Sequence, residues 1–331
     1  MLDKPKPECY DAHCPDAGRF FQRLQMKEEE TEMKKYAKLL SLVLALAMAF
    51  SLMATGTAFA DDAKPELPEF ETVTAGKLTV ATSPDFAPYE FYAIVDGEPV
   101  LAGFDVALAG YIADYLGLEL EIIPMDFDGV LNELASGGVD LGMAGLSPDP
   151  KRMDAMDFSE VYYQGGQSFV TTQANKDLFK SLEDTNKAEY SIGAQNGSIQ
   201  MDLANTNSPE ADIVALVKVT DIVAELLGGK LDGAYIETAV AENYASNYPD
   251  LAVVLEVPYE SEGSAVGVVK GNAGLLEAVN MAVAAALEDG SMDSFVAEAN
   301  EQSVGAKYEG LLDAEDAEAA IAEAVAEAEA A

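Results

Sequence analysis

Apolar and polar positions first settle into a regular pattern at Lys77-Leu-Thr-Val-Ala-Thr82, which reads as a short strand. Pro84 and Pro88 bracket a loop from Ser83 to Tyr89. Phe104, Ala107, Leu108, Tyr111, Ile112 and Tyr115 then recur at helical spacing, and Gly117 stops the helix. Leu118 to Met125 reads as a strand, Val130 to Ala135 as a short helix, and Val139 to Gly145 as a strand again. Further on, strands are predicted at Tyr190 to Ala194, Ile213 to Val217 and Leu231 to Ile236, with helices at Ser198 to Ala204, Thr220 to Leu227 and Thr238 to Ser246. Ala265 to Lys270 is a last strand, followed by helices at Leu275 to Leu287, closed by Gly290, and at Met292 to Ala299. Strands alternating with helices predict an α/β fold with largely parallel sheets.

One segment occurs twice. Val130-Leu-Asn-Glu-Leu-Ala-Ser-Gly-Gly-Val-Asp140 leads to Gly145, and Ile222-Val-Ala-Glu-Leu-Leu-Gly-Gly-Lys-Leu-Asp232 leads to Glu237. In each copy an apolar helix ends at a Gly pair suited to a left-handed cap, and an Asp then opens a strand. Asp140 and Asp232 are read as serving the turn. Both copies finish at a strand's C-terminal end, where open α/β sheets place ligands.

The ends of the chain carry a different pattern. Lys34, Lys35 and Lys38 precede an apolar run from Leu39 to Met53, broken only by Ser41 and Ser51. Ala58 and Ala60 then form a small-x-small exit, so residues 33–60 read as a secretory signal cleaved near Ala60-Asp61. The run is shorter than the roughly 20 residues a bilayer span requires. Residues 1–32 read as a misassigned or extended leader and residues 61–71 as a flexible lead-in. Residues 301–331 form an acidic tail, Ala/Glu-rich from Asp313, with helical propensity and little to pack.

Charge narrows the partners. The chain has 19 Lys plus Arg against 59 Asp plus Glu, a formal net charge of -40. Such a field repels nucleic acid and acidic lipid, attracts cationic solutes, and favours solubility outside the cell. Cys9, Cys14 and His13 all precede the expected cleavage point. The processed chain then has no thiol nucleophile, no histidine base, no disulfide and no Cys/His metal site. No P-loop or dinucleotide fingerprint is present, and no cofactor is expected.

Nine collinear pieces resemble the family 3 solute-binding proteins of ABC transporters, from Lys77 to about Asn300. They are Thr82-Ser-Pro-Asp-Phe-Ala-Pro-Tyr-Glu90, Gly103-Phe-Asp-Val-Ala-Leu-Ala109, Asp126-Phe127, Leu134-Ala-Ser-Gly-Gly-Val-Asp140 and Ser147-Pro-Asp-Pro-Lys-Arg152. Met156-Asp-Phe-Ser-Glu-Val-Tyr-Tyr163, Gly193-Ala-Gln-Asn-Gly-Ser198, Gly229-Lys-Leu-Asp-Gly233 and Val268-Val-Lys-Gly-Asn272 complete the series. The resemblance implies a two-lobed, type II periplasmic-binding-protein-like fold. Each lobe is expected to be a mixed, mostly parallel sheet flanked by helices. Lobe 1 is placed at 72–164 plus 259–300 and lobe 2 at 169–253, with crossover strands near Gly165 to Ser168 and Val254 to Pro258. It further implies a monomeric, extracytoplasmic protein, periplasmic or at the cell surface, that captures an amino acid and delivers it to ABC permease subunits.

Site residues follow from the same resemblance. Of the 19 cationic residues, 11 lie beyond residue 60, and Arg152 is the only arginine among them. It stands where the family clamps the ligand's α-carboxylate, which a guanidinium fork matches bidentately. Ser147 adds a hydroxyl, Gly145 lets main chain approach, and Ser198 opens a helix whose first amides suit the same carboxylate. By itself, Ser198 reads as a helix cap. Glu237 is expected to receive the ammonium group, at a position where the family more often has Asp. Phe86 and Phe127 are placed as ring faces around the side chain, Ser83 and Asp85 as its readers, and Gln195 and Tyr163 as further liners. Ser83 stands where Asp often recognises a basic end, which argues against lysine or arginine.

Other classes make distinct demands. A dehydratase of this fold acting on prephenate-like acids needs an acid or base of shifted pKa, and Glu237 is the candidate. A sensor needs a membrane helix after residue 300, and an adhesion protein needs partner binding independent of solute.

Overall fold

In the computed structural model the described residues are 66–260 and 263–305. The expected leader, the signal segment, the lead-in up to residue 65 and the tail beyond Gly305 lie outside them. Two five-stranded sheets carry the architecture. The first holds β1 (Lys77–Thr82), β4 (Glu119–Pro124), β5 (Leu141–Gly142), β6 (Met156–Tyr163) and β12 (Ser264–Val269), in the order β4-β1-β5-β12-β6. The second holds β7 (Gln167–Thr172), β8 (Ser191–Gln195), β9 (Asp212–Leu216), β10 (Gly233–Glu237) and β11 (Leu251–Glu256), in the order β11-β7-β10-β8-β9. Helices α1 (Phe104–Leu116), α2 (Phe127–Ser136), α6 (Ala273–Glu288) and α7 (Ser291–Gln302) accompany the first sheet, and α3 (Ile199–Asn207), α4 (Val219–Leu227) and α5 (Thr238–Asn247) the second.

Both sheets follow one plan. β4, β1 and β5 pair in parallel, and β12 runs antiparallel to β5 and β6. Likewise β9, β8 and β10 pair in parallel, and β7 runs antiparallel to β10 and β11. Four strands of each sheet therefore point the same way, and the reversed one is the strand that each crossing of the chain delivers. The crossings occur between Tyr163 and Gln167 and between Glu256 and Ser264. Gln167, Ser168, Leu255 and Glu256, expected in the crossovers, are instead paired within the second sheet, with Val254 at a bulge between Val253 and Leu255.

The repeated segment does equivalent work in each half. Asp140 accepts hydrogen bonds from the Thr79 N–H (2.8 Å), the Thr79 hydroxyl (2.6 Å) and the Val73 N–H (2.7 Å), pinning the start of β1. Asp232 accepts from the Ser191 N–H at 2.9 Å, pinning the start of β8. Both carboxylates tie the strand they open to its neighbour, in keeping with a turn role.

Four expectations are revised. Helix α2 starts at Phe127 rather than Val130, since Asp126 takes the extended conformation of a cap and Asp128 adds an acid to the first turn. Strand β5 keeps only Leu141 and Gly142, because the chain turns left-handed at Gly145 (φ 56°). Between Tyr89 and Phe104, where the apolar pattern predicts no element, a hairpin forms from β2 (Phe91–Val95) and β3 (Glu98–Ala102). Its Asp96-Gly97 turn has positive φ at both residues, which a two-residue hairpin loop demands. Part of the presumed tether is also packed: Leu67 and Phe70 lie against the core, and the Glu71 carbonyl accepts from Asn272 at 2.8 Å.

Candidate functional site

Every segment singled out in the sequence follows the C-terminal end of a strand. Ser83 to Tyr89 follows β1, Phe127 follows β4, Gly145 and Ser147 follow β5, Ser198 follows β8, and Glu237 ends β10. The two sheets thus present their loops to one another, and hydrogen bonds join these loops across the cleft.

Arg152 is half-buried between the lobes. It donates to the Ser147 carbonyl on its own side (3.5 Å) and to the Gly197 carbonyl on the other (3.3 Å). Its guanidinium carbon stands 5.6 Å from the centre of the Phe127 ring, a cation–π contact. Burial lowers its pKa, and Asp149 and Asp202 partly offset the effect. Around it Lys151 pairs with Asp202 at 2.7 Å, and Asn196 donates to Asp128, so three contacts close this rim.

Glu237 is 3% exposed. One carboxylate oxygen accepts from the Tyr89 hydroxyl (3.1 Å) and the Gly166 N–H (3.3 Å), and the other caps α5 through the Val240 N–H (3.0 Å). Burial outweighs these bonds and pushes its pKa up to about 7. Ser264 in turn donates to the Tyr89 hydroxyl at 3.3 Å, so an acid of lobe 2 is held by lobe 1 and by the crossing segment together.

Asp85 makes a second link between lobes. Its carboxylate accepts from Ser83 (2.9 Å), from the Val219 N–H at the start of α4 (2.6 Å) and from Gln195 (3.4 Å). Burial dominates here too and raises the pKa to about 6. Beside it opens a cavity of about 560 Å³, lined among others by Ser83, Tyr92, Asp126, Lys218 and Thr220.

The remaining expected residues have more local roles. Phe86 packs on Tyr89, their ring centres 5.4 Å apart, and lies against Gly145, where a side-chain carbon would come within 2.8 Å of the Phe86 ring. Gly145 is therefore required by its positive φ and by Phe86, and its N–H donates to Asp105 at 3.0 Å rather than facing the cleft. Ser198 is a helix cap: it accepts from the Met201 N–H (3.2 Å) and donates to the Gln195 carbonyl (2.6 Å), so its proton is committed. Gln195 divides its amide between Asp85 and the Val217 carbonyl. Tyr163 sets its ring edge-on to Tyr89 at 5.5 Å and against Phe104 at 4.9 Å.

Two acids and a tyrosine define the interior beyond what the residue patterns indicate. Tyr89 connects Phe86 to Glu237, and Asp105 holds both Gly145 and the Tyr162 hydroxyl (2.5 Å), with its pKa raised to about 6 by burial. Glu90 is fully buried and neither oxygen has a hydrogen-bond partner. Burial, then Asp105, Asp85 and Glu237, hold its pKa well above the usual carboxylate value. The collinear pieces include Tyr89, Glu90 and Asp105, but nothing in spacing or composition marks them as interior.

Among the described residues, no ion pair within 4.0 Å reaches Glu237, Asp85, Asp105 or Arg152. No group of three or more His, Cys, Asp or Glu could hold a metal, and no helix is long and apolar enough to cross a membrane, again among the described residues. The site is a cleft with Arg152 at one end and buried acids toward the other, where Lys218 lines the cavity beside Asp85.

Residues 78–299 match the bacterial extracellular solute-binding proteins, family 3. The chain belongs to this family. It is 32% identical over 238 residues to the arginine-binding extracellular protein ArtP of Bacillus subtilis, covering 71% of this chain and 86% of that one. The amino acid ABC transporter substrate-binding protein AbpA of Streptococcus pneumoniae, solved bound to L-arginine, is 35% identical with a TM-score of 0.67, covering 70% of this chain and 97% of that one. An enzyme also matches: cyclohexadienyl dehydratase of Pseudomonas aeruginosa, 25% identical, covering 64% of this chain and 76% of that one.

The raised acids give this family member a pH signature. Asp85, Asp105 and Glu237 hold their protons more tightly folded than unfolded, so their stabilising effect is full below about pH 4 and is lost as pH rises to about 6 and 7. Each group contributes on the order of 3 kcal/mol. The acids with lowered pKa, such as Asp177 and Asp184, are exposed and oppose this only weakly. The melting temperature of the ligand-free protein is expected to fall between pH 4.5 and 7.5, less steeply in Glu237→Gln. A melting temperature that climbs across this interval contradicts the assignment.

Proposed function

We propose that the protein is the capture component of an ABC importer for a free amino acid with a cationic side chain, with L-arginine as the reference ligand. Arg152 holds the α-carboxylate, Glu237 the α-ammonium, and Asp85 the distal cation. The observation that carries this reading is the pair of buried carboxylates, Glu237 and Asp85, that reach the cleft from opposite lobes with no cation within 4.0 Å among the described residues, Lys218 acting on Asp85 only from farther off. Buried charge requires compensation, and a ligand with two cationic groups supplies it at both places. The relatives named for arginine support the choice. Ser83, which by itself argues against a basic side chain, donates to Asp85 and orients that carboxylate, so the acid two residues on does the reading. Phe86 and Phe127 supply ring faces for the aliphatic stem.

Export behind residues 33–60, a monomeric state and delivery to permease subunits belong to the same proposal. Isothermal titration of the purified protein with L-arginine, L-lysine, L-glutamine and L-cystine is the direct test. Arginine is expected to bind at least tenfold more tightly than either neutral ligand. Glutamine or cystine binding as tightly as arginine removes the role given to Asp85.

The dehydratase reading draws on Glu237, whose pKa near 7 suits a general acid. Its surroundings favour binding instead. Two N–H groups and a hydroxyl converge on its oxygens, and all three bonds stabilise the anion. Incubation with a prephenate-type acid is expected to yield no product, and turnover lost in Glu237→Gln overturns the non-enzyme reading.

A further inference from the structure

A third connection joins the lobes, away from the two crossings. Helix α7 packs on α1 and α6 of the first lobe and ends at Gln302. Directly after it, Ser303 is fully buried against α5 of the second lobe. Asn243 donates to the Ser303 hydroxyl oxygen (2.7 Å) and carbonyl (3.2 Å), Asn247 donates to the same carbonyl (3.1 Å), and the Gly305 N–H donates to Asn247 (2.8 Å). Four hydrogen bonds thus clasp the end of one lobe's last helix to a helix that begins at the Glu237 cap.

The position of the clasp gives it leverage. Glu237 accepts from Gly166 in the first crossing, so the start of α5 lies at the hinge. Asn243 and Asn247 stand six and ten residues further on, about 9 and 15 Å along the helix axis. A lobe rotation of roughly 20° moves a group that far from the hinge by about 3–5 Å, more than a hydrogen bond tolerates. Opening the cleft therefore breaks the clasp and uncovers Ser303 and Asn243, both buried here.

We propose that Asn243, Asn247 and Ser303 are positioning residues that hold the lobes closed and so set how long a bound solute is retained, without touching it. The proposal goes beyond the ligand assignment and stands apart from it.

The test uses the full-length chain with Cys9→Ser and Cys14→Ser, and spin labels at Asp114→Cys in lobe 1 and Asn205→Cys in lobe 2, both exposed. Interlobe distances are measured by pulsed electron resonance without ligand, and dissociation of L-arginine by stopped flow. In Asn243→Ala/Asn247→Ala the ratio of closed to open protein is expected to fall about tenfold, and the dissociation rate to rise about tenfold with the association rate within about twofold. Asn243→Asp keeps the size of the side chain and turns its donor into a carboxylate oxygen that meets the Ser303 carbonyl oxygen, so it breaks the clasp at the same place and serves if the double variant fails to fold. A purely structural role for these residues lowers the melting temperature and leaves the distances unchanged. Distance distributions identical to the parent's overturn the clasp. Failure of L-arginine to bind the parent counts against the proposed ligand alone, since the ligand-free distances still judge the clasp.

Discussion

Arg152→Ala is expected to weaken binding of the amino-acid ligand by about thirtyfold or more, roughly 2–5 kcal/mol for two lost charge-assisted bonds. The guanidinium is the one arginine beyond residue 60, and it sits between lobes with its hydrogen bonds directed at carbonyls on both sides. A carboxylate that enters this place exchanges weak bonds of 3.3 to 3.5 Å to neutral oxygens for short ionic ones. Arg152→Lys should recover only part of the loss, because an ammonium cannot present a planar fork or stack on Phe127. Calorimetry checks both variants, and an affinity for arginine unchanged in Arg152→Ala removes the carboxylate clamp from the mechanism.

The second large effect is on pH. Glu237, at about 7, and Asp85, at about 6, carry protons through much of the mildly acidic range in the protein alone. A cationic ligand favours their charged forms and lowers both values, so the complex holds fewer protons than its components. Affinity then rises with pH, by up to about tenfold per unit for each proton released, between pH 5 and about 7, and levels off above. Buffers of different ionisation enthalpy should reveal the released protons directly. Glu237→Gln is expected to flatten the upper part of this dependence and to cost ligands with an α-ammonium group far more than des-amino analogues. Affinity that falls as pH rises from 5 to 7, or equal loss for both ligand types, is incompatible with Glu237 as the ammonium site.

Much of the fold can be read from local pattern. Strands β1, β4 and β8 and helices α1, α4 and α6 follow from apolar spacing and glycine stops within a residue or two, because side-chain periodicity is imposed by the element itself. The Asp96-Gly97 hairpin has an equally local cause, but β2 is apolar throughout and β3 largely exposed, so neither strand shows a clear apolar–polar alternation. For the site, the lone arginine and the acid at the end of the second repeat stand out because their type is rare or oddly placed. Glu90 and Asp105 do not, since in a chain with 59 acids nothing local separates a buried carboxyl from a solvated one.

Residue order alone determined the alternation of strands and helices, the repeated turn and the scarcity of cations, and the family resemblance picked out Arg152 and Glu237 for the proposed opposite ends of a site. These are properties of spacing and chemistry along the backbone. Tertiary structure alone decided that Ser198 and Gly145 serve the scaffold, that Tyr89 secures Glu237, that Asp85 meets α4 of the other lobe, and that Ser303 fastens to Asn243. Each of these joins residues far apart in the chain or depends on which hydrogen-bond partner packing leaves within reach, and burial, which raises the pKa of Asp85, Glu90, Asp105 and Glu237, exists only once both lobes are assembled.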